Sequence, residues 1–208
     1  MESNVFAATL VVVGLAFLSS CGLSNITFSQ LFTPAGWRKP DLVIHALALR
    51  PGAHVADIGA GDGYFTFRLA DAVGFEGHVY AVEVTDKLVE TLRQEVKRRG
   101  YKNVTVIRGA FDDPMLPDRG IDVAFFSGVF HHIEARPKYF TDLKNDLAGG
   151  GRVAVIDGAP DPLHKLFMPF HFTSAQKVDE EMQTAGYERT QVFDFLPMMN
   201  FQIFEPRA

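Results

Sequence analysis

Short apolar runs and amphipathic stretches alternate along the chain between residues 54 and 204. Apolar runs of about five residues, rich in Val, Ile and Phe, predict five strands. These strands are expected over residues 54–58, 78–84, 104–108, 121–126 and 152–156. Strands that alternate with helices are typical of a parallel sheet covered on both faces. The pattern therefore predicts an α/β fold.

Apolar residues that recur every three or four positions predict the helices between these strands. In one of them Leu88, Leu92 and Val96 share a face, Thr85 caps the start and Gly100 ends the helix. Further helices are expected over residues 41–49, 64–73, 137–147 and 174–185, and two extended runs over 189–195 and 200–204.

The N-terminal segment has a different pattern. No charged residue lies between Glu2 and Arg38, and residues 5–18 are almost wholly apolar. This run suits the core of a signal peptide and is shorter than the ~20 residues of a membrane-spanning helix. It ends in Leu18-Ser19-Ser20-Cys21-Gly22, which resembles the bacterial lipoprotein signal, in which the cysteine is lipidated. We therefore expect attachment to a membrane through this segment.

Other interpretations of the segment stay open. Residues 1–4 lack the Lys or Arg of such a signal. A spanning anchor that continues through Cys21 to Phe28 would place the domain on the cytoplasmic side, because Arg38 and Lys39 follow it. A cleaved secretion signal or a misassigned start codon are further alternatives. The predicted organisation is a signal or anchor over residues 1–24, a linker over 25–39 and one domain over 40–208.

Composition narrows the class of partner. A chain of 208 residues is long enough for one well-buried domain. The net charge of -5 and the pI near 5.8 give no basic surface for DNA or RNA, so nucleic acid is excluded as the main partner. Cys21 is the single cysteine, which excludes an internal disulfide framework and a cysteine-based metal site.

Acidic residues and glycines follow the first two strands, at the sheet edge where open α/β sheets bind ligands. Asp57, Gly59, Gly61 and Gly63 end the first strand, and Glu83 ends the second. Glycines in this place allow a sharp turn that leaves bare main chain against a nucleotide-like ligand. Glu83 is placed to accept the hydroxyls of a ribose. Carboxylates there suit a ligand with positive charge or hydroxyl and amine donors more than a bare pyrophosphate.

The spacing Asp57-x-Gly59-x-Gly61-x-Gly63 resembles the motif of class I S-adenosylmethionine-dependent methyltransferases. The dinucleotide fingerprint G-x-G-x-x-G would need a glycine at position 64, where Tyr64 stands. Further segments that match the methyltransferase pattern follow in the expected order, over residues 50–52, 79–83, 112–114, 121–123 and 149–155.

This resemblance implies a Rossmann-like, doubly wound, seven-stranded and mostly parallel sheet in the order 3-2-1-4-5-7-6, with the last strand antiparallel. It also implies S-adenosyl-L-methionine as cofactor, with Asp57 near its amino group and Glu83 at its ribose. Ala110 stands where many members carry an acid. We therefore expect the backbone of Ala110 and Phe111 at the adenine edge, with Asp112 as the side-chain partner.

The residues after the fourth strand bear on the methyl acceptor. Ser127 is the last of the predicted cofactor-binding residues. The Asn/Asp-Pro-Pro-Tyr signature of nucleic-acid amino-methyltransferases is absent there, which removes that substrate class. His131 and His132 follow, and a histidine can take a proton from a phenol, hydroxyl or thiol during methylation. Either histidine could instead cap or pack, and no metal site is predicted, because adjacent side chains point in different directions.

The prediction is thus an S-adenosylmethionine-dependent methyltransferase that acts on a small-molecule acceptor. Two alternatives remain at this point. A nicotinamide-dependent oxidoreductase would use the same acid after the second strand. A non-catalytic envelope protein could keep the fold without turnover.

Overall fold

A seven-stranded sheet organises the computed structural model, which describes residues 38–158, 172–196 and 199–207. Its strands are β1 (His54–Ile58), β2 (His78–Glu83), β3 (Val104–Arg108), β4 (Ile121–Ser127), β5 (Leu147–Gly158), β6 (Tyr187–Phe193) and β7 (Met199–Pro206). Their order is β3-β2-β1-β4-β5-β7-β6. The first five strands are parallel, and β7 is antiparallel to both β5 and β6. The predicted fold class, strand order and closing antiparallel strand are confirmed.

Five α-helices and one short 3₁₀ helix accompany the described strands. They are α1 (Pro40–Ala46), α2 (Thr66–Val73), α3 (Asp86–Arg99), the 3₁₀ helix Phe130–His132, α4 (Arg136–Leu143) and α5 (Ala175–Thr184). Gly100 ends α3 in the left-handed conformation at φ +77°, where glycine is the favoured residue. Thr85 stands at the start of α3 as predicted, but its side chain accepts no capping hydrogen bond. No helix in the described part of the chain is long and apolar enough to cross a membrane.

Apolar side chains alternate along the strands and fill both faces of the sheet. Phe125 packs on the face covered by α1 and α2, and the next residue, Phe126, packs on the face covered by α4 and α5. Both rings are fully buried. Because strand residues alternate between faces, adjacent apolar residues in β4 predict a strand covered on both sides.

The structure corrects the predicted boundary between α4 and β5. The helix ends at Leu143 instead of continuing to Leu147, and the glycines at 149–151 lie within β5. Leu147 pairs with Ile121 of β4, and the register shifts before Val123. A Cβ on Gly151 would lie 2.6 Å from the Ile121 carbonyl oxygen, so glycine permits this close strand pairing.

Smaller differences occur at α1 and α2. The first helix ends at Ala46 because the chain takes a positive φ of +43° at Ala48. The second begins at Thr66, after the glycine turn is complete. The chain from Lys39 onward forms one compact unit. The predicted signal or anchor over residues 1–24 and almost all of the predicted linker lie outside the described residues.

Candidate active site

A turn built from glycines leads from β1 into α2. Gly59, Gly61 and Gly63 all have positive φ, of +73°, +57° and +83°. A Cβ on Gly63 would lie 2.6 Å from the Phe67 ring, and one on Gly59 would lie 2.7 Å from Val129. The N–H groups of Gly59 and Ala60 donate to the carbonyl of Val82, which ties the turn to β2. The turn is therefore fixed in place and presents main chain at the carboxyl edge of the sheet.

Glu83 anchors the same turn from the end of β2. Its Oε1 accepts the N–H groups of Val84 at 2.7 Å and Thr85 at 3.2 Å, and its Oε2 accepts the N–H of Gly61 at 3.2 Å. The residue is 7% exposed. A carboxylate has about four lone-pair positions, so three backbone donors leave Oε2 able to accept one more hydrogen bond. Glu83 thus joins β2 to the glycine turn and keeps acceptor capacity for a ligand hydroxyl.

Asp57 stands near the end of β1, just before the turn, and does not line the cavity described below. It is buried, and its Oδ2 accepts the Thr66 hydroxyl at 2.6 Å. Burial raises the pKa of Asp57 to about 6, and the charges of Glu83 and Asp62 raise it further, while the Thr66 hydrogen bond lowers it. Asp57 therefore supports the start of α2 and carries a proton for part of the time near neutral pH. Direct contact with a cofactor amino group stays a prediction.

A cavity of about 420 Å³ opens beside the turn and Glu83. Its size falls within the range of about 300–1,000 Å³ typical of small-molecule sites. Residues from the ends of β1 to β4 line it: Ile58, Gly59, Val82, Glu83, Val84, Thr85, Leu88, Ala110, Phe111, Gly128, Val129, His132, Ile133 and Tyr139. This is the edge at which ligands bind in open parallel sheets.

The cavity contains only part of the predicted site. Its lining includes Gly59, Glu83, Ala110, Phe111 and His132. The other predicted residues lie outside the lining: Asp57, Gly61, Gly63, Asp112, Ser127 and His131. Gly61 and Gly63 still belong to the turn beside the cavity.

Asp112 and Ser127 do not line this cavity, and their contact with the cofactor stays a prediction. The side chain of Asp112 is exposed to solvent. Ser127 is the last residue of β4, and the two residues after it, Gly128 and Val129, border the cavity in its place. The sequence predicted the end of this strand at Phe126, one residue before the observed end, and side chains alternate in direction at such an end.

The cavity also has an apolar wall that the sequence analysis missed. Leu88, Val129, Ile133 and Tyr139 form part of it. Burial raises the pKa of Tyr139, and the charges of Asp113 and Asp146 add to the effect, so its phenol stays protonated at neutral pH. The sequence placed Leu88 on the apolar face of α3 with Leu92 and Val96, and only the three-dimensional arrangement shows that it lines the cavity.

Phe111 projects from the rim of the same cavity and is 75% exposed. An exposed aromatic ring beside a cavity can cover a flat ligand ring by stacking. Together with Val84 and Leu88, it gives one end of the cavity an apolar character suited to an adenine base. Glu83 lies beside this end and provides the hydroxyl acceptor.

The two histidines have different surroundings. The His131 ring is 12% exposed, and its Nδ1 lies 3.1 Å and 3.2 Å from the two carboxylate oxygens of Asp157. His132 is exposed and lines the cavity. Their ring centroids are 4.1 Å apart. The partner of His131, Asp157, directly follows the fifth predicted strand and was not among the predicted site residues.

A larger hollow of about 600 Å³ lies at the opposite ends of β1 and β2. His54, His78, Tyr80 and Tyr101 contribute to its walls. Burial lowers the pKa of His78, and the charge of His54 lowers it further. The hollow lies at the amino ends of the strands, away from the edge that binds ligands in parallel sheets. We therefore place the active site at the smaller cavity.

The residues present fit S-adenosylmethionine. The main chain of Gly59 in the cavity lining, the remaining acceptor capacity of Glu83 and the apolar wall around Leu88 suit an adenosyl group. A sequence profile described as a methyltransferase domain matches residues 49–201. The chain belongs to this methyltransferase family. The predicted cofactor and enzyme class are thereby confirmed at the level of the family, and the nicotinamide alternative is set aside.

Several named methyltransferases resemble this chain in sequence. The arsenite methyltransferase of Halobacterium salinarum is 29% identical over 155 residues, which are 70% of this chain and 40% of the relative. The protein-L-isoaspartate O-methyltransferase of Methanothermobacter thermautotrophicus is 32% identical over 64% of this chain and 58% of the relative. The ubiquinone/menaquinone C-methyltransferase UbiE of Vibrio campbellii is 26% identical over 69% of this chain and 56% of the relative. The chain thus spans 40% to 58% of the length of these three relatives.

Solved structures agree with the family. A SAM-dependent methyltransferase from Aquifex aeolicus superimposes with a TM-score of 0.71 at 25% identity, over 83% of this chain and 97% of that one. The 1,6-didemethyltoxoflavin-N1-methyltransferase of Burkholderia thailandensis, solved with S-adenosylhomocysteine, gives a TM-score of 0.69 at 17% identity, over 100% of this chain and 92% of that one. At that identity the second likeness shows the fold alone.

Proposed function

We propose that this protein transfers a methyl group from S-adenosylmethionine to a small-molecule acceptor. The observation that carries the proposal is Glu83, which lies beside the 420 Å³ cavity and is tied to the glycine turn through Gly61. Membership of the methyltransferase family supports the reaction type.

The proposal gives each part of the cavity a task. Oε2 of Glu83 holds a ribose hydroxyl, and Val84, Leu88 and Phe111 enclose the adenine. The turn at Gly59 presents main chain to the methionine part. When bound, S-adenosylmethionine supplies a methyl group on a positively charged sulfur, which makes the carbon electrophilic. The contribution of the protein is to hold the acceptor in line with that carbon, and such positioning alone can lower a barrier by about 7–11 kcal/mol.

We propose a small acceptor because the net charge of -5 disfavours nucleic acid and because two of the relatives are named for small acceptors. Among the relatives, the arsenite and quinone enzymes are named for small acceptors, whereas the isoaspartate enzyme is named for a protein acceptor. A peptide that contains isoaspartate is therefore the comparison substrate in any test.

The first test is calorimetric titration of S-adenosylhomocysteine into the purified protein. Saturable binding at one site per chain supports the proposal, and folded protein that releases no heat and shows no thermal shift contradicts it. Methyl transfer is then tested with labelled S-adenosylmethionine and single acceptors: arsenite with a thiol, a quinol, a phenol and the isoaspartyl peptide. Transfer to the peptide alone would contradict the small-molecule assignment.

We also propose that residues 1–24 attach the protein to a membrane. The support is the apolar run over residues 5–18 and the Leu18-Ser19-Ser20-Cys21-Gly22 sequence that ends it. The intact mass of the cellular protein, together with membrane fractionation and protease accessibility, tests this proposal. A chain that begins at a lipidated Cys21 supports it, and an unmodified full chain in the soluble fraction contradicts it.

A further inference from the structure

A buried carboxylate, Asp157, lies at the carboxyl end of β5 with its position fixed by backbone groups. It is 0% exposed. Its Oδ1 accepts the N–H of Gly158 at 2.7 Å, and its Oδ2 accepts the N–H of His131 at 3.1 Å. Because both oxygens are held by main-chain donors, the carboxylate cannot rotate without losing a bond.

The same carboxylate fixes the protonation of the His131 ring. Nδ1 of His131 lies 3.1 Å from Oδ1 and 3.2 Å from Oδ2 of Asp157. An ionised carboxylate only accepts hydrogen bonds, so Nδ1 must be the donor. In a neutral ring with its proton on Nδ1, Nε2 carries the lone pair and is the basic atom.

The sheet order places this pair beside the cofactor cavity. β4 lies between β1 and β5, so Asp157 is one strand beyond β4, on the side away from the glycine turn. His131 is drawn toward that side, whereas His132 lines the cavity. The two rings are in contact, with centroids 4.1 Å apart. His131 therefore stands at the border between the cavity and the end of β5.

We infer that Asp157 is a positioning residue for methyl transfer, which holds His131 so that its Nε2 accepts the proton of the acceptor's O–H, S–H or N–H group. The inference rests on the proposed function and adds to it the acceptor class: a nucleophile that loses a proton when it is methylated. It also places the acceptor at the end of β5, and it distinguishes His131 from His132.

The step balances in atoms and charge. The acceptor's oxygen, sulfur or nitrogen forms a bond to the methyl carbon, and the electron pair of the methyl–sulfur bond stays on sulfur. The acceptor's proton passes to Nε2 of His131, and the resulting imidazolium is paired with the carboxylate of Asp157. A base in this role is worth about 10²–10⁴-fold in rate.

The test is a long-range ¹H–¹⁵N correlation spectrum of the full chain with ¹⁵N-labelled histidine, at a pH where the rings are neutral. His131→Gln and His132→Gln identify the two signals. We expect His131 with its proton on Nδ1 in the wild type. Asp157→Ser should change that tautomer, whereas Glu134→Gln, which removes an exposed acid close in sequence, should not. A proton on Nε2 in the wild type, or an unchanged tautomer in Asp157→Ser, overturns the inference.

The wild-type tautomer and a titration of S-adenosylhomocysteine complete the test. If Asp157→Ser does not fold, the wild-type tautomer decides alone. Titration of S-adenosylhomocysteine separates this inference from the proposed function, because neither Asp157 nor His131 lines the cavity and both variants should bind as the wild type does. Loss of affinity in His131→Gln by about tenfold or more would assign His131 to the cofactor and overturn the acceptor role. Absence of binding in the wild type would instead refute the proposed function.

Discussion

Replacement of Glu83 by glutamine removes one negative charge and one acceptor atom without changing the size of the side chain. The carboxylate accepts three backbone N–H groups, two on Oε1 and one on Oε2. In Glu83→Gln the amide oxygen can satisfy only one of these sides. The NH₂ group then faces either the N–H of Gly61 or the N–H groups of Val84 and Thr85. In both orientations a hydrogen-bond donor faces another donor, so at least one backbone N–H group loses its acceptor. We therefore expect damage to the link between β2 and the glycine turn.

The expected losses of stability and of cofactor affinity follow from hydrogen-bond energies. An unsatisfied buried donor costs about 1–3 kcal/mol, so the free energy of unfolding should fall by that amount. A ligand hydroxyl bonded to a charged acceptor contributes about 1.5–3 kcal/mol. Since 1.4 kcal/mol corresponds to a tenfold change in affinity, the Kd for S-adenosylhomocysteine should rise about 10- to 150-fold.

Calorimetry on folded protein measures this change, and urea unfolding measures the stability. Glu76→Gln is the matched control, because it makes the same chemical change at an exposed acid beside the opposite hollow. That control should leave both quantities unchanged. A Glu83→Gln protein that is folded and binds S-adenosylhomocysteine as tightly as the wild type would refute the reasoning that Glu83 holds the ribose.

Three further predictions concern the framework of the site. Burial raises the pKa of Asp57 from 3.8 to about 6, so the native state keeps a proton that the unfolded chain releases. The free energy of unfolding should therefore fall by about 2 kcal/mol as pH rises from 4 to 7. Asp57→Asn should remove that part of the pH dependence, and equal slopes in both proteins would contradict the burial argument. Gly63→Ala places a Cβ on a left-handed backbone and against the Phe67 ring, so it should lower the free energy of unfolding in urea by about 2–5 kcal/mol. Gly100→Ala has the same backbone strain but open space around the new Cβ, so it should lower that free energy by only about 1–2 kcal/mol. Tyr187→Phe deletes a buried hydroxyl that donates to the Phe140 carbonyl at 2.9 Å and should lower stability by about 1 kcal/mol; no change in the unfolding midpoint would show that bond to be without net effect.

Much of the fold follows from local pattern. The apolar run of β1 coincides with the observed strand, because a strand buried on both faces needs continuous apolar residues. The run of β3 also coincides with its strand, although β3 lies at the edge of the sheet and none of its residues is fully buried. The strand order came from the resemblance to methyltransferases, since apolar runs do not say which strands are neighbours. The start of β5 was missed because Leu147 fits a helical repeat as well as a strand, and its pairing with Ile121 depends on a residue 26 positions away.

The site was predictable as a set of strand ends but not as a set of side-chain directions. Gly59 and Glu83 border the cavity as expected. Asp57 has the expected place in the chain, and its buried carboxylate accepts the hydroxyl of Thr66, nine residues later, a contact that no local pattern indicates. The partnership of His131 with Asp157 joins residues 26 positions apart on neighbouring strand ends, and no local pattern indicates it.

The central claim is that the cavity beside the glycine turn holds the methyl donor. A crystal structure of the protein with S-adenosylhomocysteine tests it most directly. We predict the ligand in the cavity lined by Gly59, Leu88 and Phe111, with a ribose hydroxyl within hydrogen-bond distance of Oε2 of Glu83. Ligand bound instead in the hollow around His54 and His78, or with its ribose away from Glu83, would contradict the account.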